Sequence, residues 1–210
     1  GFIPTGIPSV GYDNITNPVT LTGLAAVTDY QVYVRADCDM DNEGVSSWTG
    51  PLSFTTLCTS FEPPYLDTFA IDPADCWTEY GDGTLTTGPL APGFSSWFPW
   101  GFANNGTFEG AQRVSLFFSG LNNWLVSPMF DLSVGGPHQV EFDFAITANG
   151  IQAATNLDTD DEVHFLISTD NGITWTEIQM WGSADNVDPT GEKIVHDLAA
   201  YQGQMVQFAF

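Results

Sequence analysis

Ser168-Thr-Asp-Asn-Gly-Ile-Thr-Trp175 carries the strongest structural signal in this chain. Residues 163–167 before it alternate between two faces, which is the two-residue period of a pleated strand. Asp170-Asn171-Gly172 then supplies a tight reversal, because Asn and Gly tolerate a positive φ that other residues avoid. Trp175 opens a returning strand, so the stretch predicts a β-hairpin.

The spacing S-x-D-x-G-x-T-W of this hairpin resembles the Asp-box, a motif that recurs in sialidases and in many extracellular β-modules. In those proteins the Asp-box is a folding device that lies away from the active centre. One copy therefore does not indicate sialidase activity. The resemblance implies a secreted β-domain that binds or scaffolds.

Composition limits the classes of partner. The 210 residues are 43% hydrophobic, which is enough for one core or two small ones. The chain contains 26 acidic residues and only three basic ones. The basic residues, Arg35, Arg113 and Lys193, cannot form a patch for a phosphate backbone or for anionic lipid. We expect no nucleic-acid partner and, because no apolar run could cross a bilayer, no direct membrane insertion.

The three cysteines are Cys38, Cys58 and Cys76, and their spacing does not fit a zinc site. In an extracellular β-protein two of them should pair. We predict a Cys58–Cys76 disulfide, since it would close a short loop, and we expect the partner of Cys38 to lie outside this piece of a longer polypeptide.

The spacing of 21 Gly and 13 Pro predicts an all-β fold. Residues 30–36 read as a strand with Tyr30, Val32, Val34 and Ala36 on one face. Leu24, six residues before Tyr30, fits a tyrosine corner. Residues 1–57 resemble the C-terminal half of a fibronectin type III domain. The resemblance implies a partial sandwich that lacks its early strands.

Residues 58–210 form a second predicted module. After a loop-rich stretch to about Gly110, the strand at 139–147 alternates cleanly. The order of motifs resembles the MAM / cleaved-adhesin family of jelly rolls: P-Y-x-x-x-F … C-W … N-W-L-V-S-P-x-x-D-L-S … x-F-x-F … S-T-D-x-G-x-T-W … D-L-x-x-Y-x-G-Q. The resemblance implies a jelly roll from a large secreted or surface protein of Bacteroidota-type bacteria, with its closing strand beyond Phe210.

Catalytic patterns are weak. Glu141 and Asp143 share a strand face, as the acids of jelly-roll glucanases do, but a third acid would fall at Ala145 or Ile146. The three histidines, His138, His164 and His196, lie in no metal or triad motif. We expect surface carboxylates and no enzyme.

Calcium is the expected cofactor. Acids at 39, 41 and 43 resemble the start of a calcium loop, although Gly50 holds the twelfth position, and a polar turn is the alternative. Four acids between 158 and 162 would repel one another unless a cation relieved them. The resemblance also implies a structural calcium near the N-terminal strand of the jelly roll. The candidate ligands are Asp39, Asp41, Glu43, Asp67, Asp72, Asp158, Asp160, Asp161 and Glu162.

The aromatic segment around Trp97, Trp100 and Phe102 is the candidate for recognition. Flat rings on loops stack on sugars, although the same rings could instead plug the open end of a sandwich. We therefore predict a non-catalytic structural and adhesive module, extracellular or on the cell surface, and stabilised by calcium. Its expected partners are neighbouring modules of the same chain, polysaccharide or another surface protein. The alternative is a carbohydrate-binding accessory module of a secreted hydrolase.

Overall fold

The computed structural model describes residues 18–36, 44–70, 76–92, 95–107, 110–117 and 120–210. Regular structure in these ranges consists of antiparallel strands, apart from short 3₁₀ turns at Phe102–Asn104 and Ala199–Tyr201. The predicted all-β class is confirmed. No helix in the described ranges is long and apolar enough to span a membrane.

The described strands are numbered in chain order. They are β1 Asp29–Val34, β2 Thr49–Thr55, β3 Thr78–Thr84, β4 Gly88–Pro92, β5 Phe98–Gly101, β6 Gly110–Arg113, β7 Trp124–Val126, β8 Phe130–Asp131, β9 Gln139–Phe144, β10 Val163–Ser168, β11 Thr176–Trp181, β12 Glu192–Asp197 and β13 Met205–Ala209. The chain divides into two compact units, Gly1–Cys58 and Thr59–Phe210.

The first unit contains the antiparallel pair β1–β2. The Tyr30 ring stacks on Phe54 at 5.8 Å, and its hydroxyl accepts a hydrogen bond from the Ala25 backbone N–H at 2.9 Å. This is the bond expected of a tyrosine corner. The register shifts between Val32 and Val34, so the alternation predicted for this strand is interrupted and Val34 is 53% exposed.

The second unit is built around a large antiparallel sheet and a facing strand pair. The sheet order is β11-β10-β13-β7-β3-β4, with β8 alongside β13, and the facing pair is β12–β9. The inward residues of β9, among them Phe142 and Phe144, pack against buried residues of β10, β11 and β13. The polar residues of β9 face solvent, as the sequence pattern predicted. The main core therefore lies between these two layers.

A second cluster covers the opposite face of the large sheet. Trp124, Val126 and Leu166 are buried there, with Trp175 and Tyr80 packed against them. Strand β10 is therefore buried on both faces, because Phe165 and Ile167 point into the main core. This double burial explains why β10 is a nearly continuous apolar run.

The predicted loop-rich stretch before Gly110 is wrong in part. It contains β3 and β4, which form the edge of the large sheet, and β5, which pairs with β6. These strands contain glycine and proline, which favour turns, so the sequence pattern did not predict them as strands. Proline is tolerated on an edge strand, where its missing N–H leaves no sheet partner unsatisfied, and Pro89 and Pro92 both lie in the edge strand β4.

The Asp-box hairpin is held by side-chain hydrogen bonds. Ser168 Oγ accepts from the Gly172 backbone N–H at 2.9 Å and donates to Asp170 Oδ1 at 2.8 Å. Asp170 accepts from the Thr174 backbone N–H at 2.8 Å and from its hydroxyl at 2.6 Å. Trp175 Nε1 donates to the Gly172 carbonyl at 3.1 Å, and the Trp175 ring lies 5.8 Å from that of Trp124. The predicted turn is therefore fastened to the sheet.

These bonds make stability depend on pH in the acid range. The Thr174 hydroxyl and backbone N–H lower the pKa of Asp170 from 3.8 to about 2. A carboxylate with a depressed folded-state pKa stabilises fully above its unfolded pKa, and that contribution is lost as the pH falls through the folded value. We expect Asp170→Asn to be less stable than wild type above pH 4, and the difference to shrink toward pH 2.

Urea unfolding of both proteins at pH 5 and pH 2.5 measures this difference. Thr174→Val, which removes the strongest donor to the carboxylate, should show the same trend in weaker form. A difference between Asp170→Asn and wild type that is equal at the two pH values would contradict the assignment.

The predicted Cys58–Cys76 disulfide is confirmed. Inside the loop that it closes, Asp67 accepts from the Tyr65 hydroxyl at 3.0 Å, from the Phe69 backbone N–H at 2.8 Å and from Trp77 Nε1 at 2.9 Å. A disulfide indicates an oxidising environment, such as the one outside the cell.

Candidate functional site

The candidate site is the antiparallel pair of β5 and β6, which we call the aromatic hairpin. Phe98 of β5 lies directly opposite Arg113 of β6. Since alternate residues of a strand share a face, Phe98 and Trp100 project to the same side. Their ring centroids lie 6.0 Å apart with the rings nearly perpendicular. Two half-buried aromatic rings therefore form one face of the hairpin.

Arg113 lies over both rings. Its Cζ atom is 5.1 Å from the Phe98 ring centroid and 5.2 Å from the Trp100 ring centroid. Both distances are within the roughly 6 Å over which a cation is attracted to an aromatic face. The hairpin thus holds one of the few positive charges of the chain between two aromatic side chains.

Two asparagine amides fix the orientation of the guanidinium. Nη1 of Arg113 donates to Asn104 Oδ1 at 2.9 Å, and Nη2 donates to Asn149 Oδ1 at 3.2 Å. Asn104 Nδ2 in turn donates to Thr147 Oγ1 at 2.5 Å, which ties the hairpin to the loop after β9. Ala103 and Asn104 have φ values of 55° and 54°, a left-handed conformation that costs free energy in residues other than glycine.

The predicted sugar-binding residues do not all belong to this face. Trp97 precedes β5, and its indole Nε1 is buried without a hydrogen-bond partner among the described residues. Phe102 packs against Gly191, where an added Cβ would come within 2.5 Å of Phe102 Cζ. Of the three predicted residues, Trp100 is the one that the structure places beside Arg113.

The acidic segment 158–162 forms a turn before β10, closed by a hydrogen bond from the Asp161 N–H to the Asp158 carbonyl at 3.1 Å. The Glu162 carboxylate lies 3.2 Å from His164 Nε2, and His164 Nδ1 lies 2.7 Å from the Glu177 carboxylate. Within the described part of the chain, no group of three or more His, Cys, Asp and Glu residues is arranged to hold a metal ion. The predicted ligands Asp39, Asp41, Glu43 and Asp72 lie outside the described residues.

The carboxylate of Asp67, another predicted calcium ligand, is already used within the protein. Both of its oxygens accept hydrogen bonds, one from a backbone N–H and the other from the Tyr65 hydroxyl and the Trp77 indole. A cation at Asp67 would compete with these three donors. In this geometry Asp67 holds the disulfide loop together.

The carboxylate pair on β9 meets a positive charge on the neighbouring strand. Lys193 Nζ lies 3.3 Å from Glu141 Oε1 and 3.9 Å from Asp143 Oδ1. All three side chains are more than half exposed, so the ion pairs contribute little to stability. His196, on the other face of β12, stacks on Phe165 in the core at 5.6 Å. This arrangement gives the two acids a surface role.

Sequence reasoning missed most of the residues around Arg113. Phe98 could have been found from its two-residue spacing to Trp100, and Arg113 from the rarity of basic residues. Asn149 carried no local signal, because folding brings it to Arg113 from 36 residues away. Asn104 lies nine residues before Arg113, in the link between β5 and β6, but belongs to no recognisable motif.

Comparisons of the chain with protein-family models, with curated proteins and with solved structures gave no match.

Proposed function

We propose that this chain is a non-catalytic structural and adhesive part of a secreted or cell-surface protein. In this proposal, part of a fibronectin type III domain precedes a MAM-like jelly roll, and the partners are neighbouring modules, polysaccharide or another surface protein. The observation that carries the proposal is the Asp-box hairpin, whose hydrogen bonds all serve the fold and whose Trp175 packs onto the sheet. The Cys58–Cys76 disulfide also supports an extracellular role.

Carbohydrate binding by an accessory module of a hydrolase is the second candidate function. The aromatic hairpin favours it, because Phe98 and Trp100 share a half-buried face with an oriented guanidinium and nearby amides. Aromatic surface combined with a few fixed polar groups is the usual composition of a sugar site.

Calcium stabilisation is part of the first proposal. Asp158, Asp160 and Asp161 carry like charges in one short turn, and a bound cation would relieve their repulsion. Binding to the folded state alone would raise the free energy of unfolding by about 2.7 kcal/mol at a calcium concentration of 100 times Kd.

Thermal unfolding with and without calcium tests the calcium part of the proposal. We expect calcium to raise the Tm by several degrees, EDTA to reverse the rise, and Asp158→Asn with Asp160→Asn to remove it. The matched double variant Asp39→Asn with Asp41→Asn tests whether the other acidic loop contributes to the calcium-induced rise in Tm. An unchanged Tm in calcium and in EDTA would contradict the calcium part.

A glycan-array screen in calcium and in EDTA, followed by a reducing-end assay on every glycan that binds, tests the function itself. Binding without release of new reducing ends supports a non-catalytic module. Shortening of a bound glycan would overturn the proposal.

A further inference from the structure

Arg113 makes no ion pair with a carboxylate among the described residues. The chain has 26 acidic residues against three basic ones. Lys193 lies near two carboxylates, whereas the ion pairs of the described residues include none to Arg113. Its polar partners are the neutral amide oxygens of Asn104 and Asn149. Among the residues that the structure describes, the positive charge of Arg113 is therefore not paired with a carboxylate.

The surroundings of Arg113 fix its plane and leave donors for a ligand. We call Arg113 with its four neighbours, Phe98, Trp100, Asn104 and Asn149, the arginine cage. A guanidinium has five N–H donors, and the two asparagines accept from two of them. The remaining donors belong to a partly buried side chain whose orientation is already set, so binding a ligand would cost little ordering entropy.

The chemistry of these donors selects the ligand class. The guanidinium fork matches a carboxylate in two parallel, charge-assisted hydrogen bonds. The adjacent rings of Phe98 and Trp100 supply an apolar surface of the kind on which a sugar ring stacks. We propose that the arginine cage binds a sugar that carries a carboxylate, a uronic acid unit of an extracellular glycan.

The net charge of the chain narrows this class further. A formal charge of −23 repels a polyanion that follows the protein surface, whereas a single carboxylate within about one Debye length, roughly 8 Å, of Arg113 is attracted to it. The expected ligand is therefore an isolated or terminal uronic acid in an otherwise neutral glycan. The inference rests on the proposed binding of polysaccharide and names the unit that is recognised.

The test uses three small probes that differ at one position: glucuronic acid, glucuronamide and glucose. Each is titrated into the whole ¹⁵N-labelled chain at pH 7, and the Arg113 Nε–H signal is followed by NMR. We expect glucuronic acid to bind about tenfold or more tightly than glucuronamide, because a charge-assisted bond is replaced by a neutral one. Equal affinity for the acid and the amide would overturn the proposal.

Variants locate the site without relying on one substitution. Arg113→Gln should remove the preference for the acid, while Arg113→Lys keeps the charge but loses the fork and should retain a reduced preference. The matched control is Arg35→Gln, since Arg35 Cζ lies 4.8 Å over the Trp48 ring in the first unit. It should leave the preference unchanged. A preference that survives Arg113→Gln would place the site elsewhere and overturn the inference.

Two further arms separate this inference from the proposed function. N-acetylglycine, a monocarboxylate without a sugar ring, should bind more weakly than glucuronic acid, and equal or tighter binding would overturn the assignment to a sugar. Binding of neutral glycans on the array without any uronate preference would refute the arginine cage and leave glycan binding standing. Absence of binding to every glycan would contradict the arginine cage and glycan binding alike, and would leave the structural and adhesive proposal with protein partners.

Discussion

Replacing Phe165 by alanine is expected to lower the free energy of unfolding by about 3–5 kcal/mol, the range for truncating a buried aromatic residue. The Phe165 side chain has no solvent exposure. Its ring centroid lies 4.8 Å from that of Phe142, 5.6 Å from that of Phe208 and 5.0 Å from that of Phe210. The substitution would leave a cavity between the two layers and remove several ring contacts at once.

Urea unfolding followed by tryptophan fluorescence measures this loss. Phe165→Leu, which keeps more of the buried volume, should give an intermediate value. The control is Leu66→Ala, because Leu66 is 83% exposed and its truncation should change stability by no more than about 0.5 kcal/mol. A loss below about 1 kcal/mol for Phe165→Ala would show that the two layers do not meet at this residue.

Removing the Cys58–Cys76 disulfide is expected to lower the free energy of unfolding by about 2–4 kcal/mol. The bond closes a short loop and so restricts the unfolded chain. That loop also contains Asp67, which the Tyr65 and Trp77 side chains hold by hydrogen bonds. Without the covalent closure, these bonds would have to order a longer free segment.

The double variant Cys58→Ala with Cys76→Ala tests this expectation, and Cys38→Ala is the matched control, expected to have a smaller effect. Thiol titration of the denatured protein gives an independent measurement. One thiol should react before reduction and all three cysteines after it. Three reactive thiols before reduction would show that the disulfide does not form.

Much of the fold could be predicted because its signals are local. The two-residue alternation of β9 and the Asp-Asn-Gly reversal can each be recognised from residues that are adjacent in sequence. The same is true of the Asp-box, whose donors and acceptors lie within a few residues of one another.

The sequence pattern did not predict β3 and β4, because their local residue preferences disagree with their conformation in the fold. Strands β3 and β4 contain glycine and proline, whose local preference is for turns, and they are strands because they complete the edge of the large sheet. Their conformation is decided by pairing with β7 and with each other, and a local pattern does not show that pairing.

The amino-acid sequence alone was sufficient for the all-β class, the hairpin at Asp170 and the cysteine pair. These features rest on short-range periodicity, turn chemistry and cysteine spacing. The arginine cage needed the tertiary structure, because Asn149, 36 residues from Arg113, reaches it only after the chain has folded. Contacts between residues distant in the chain depend on how strands pair and layers pack, and a single sequence carries no local record of them.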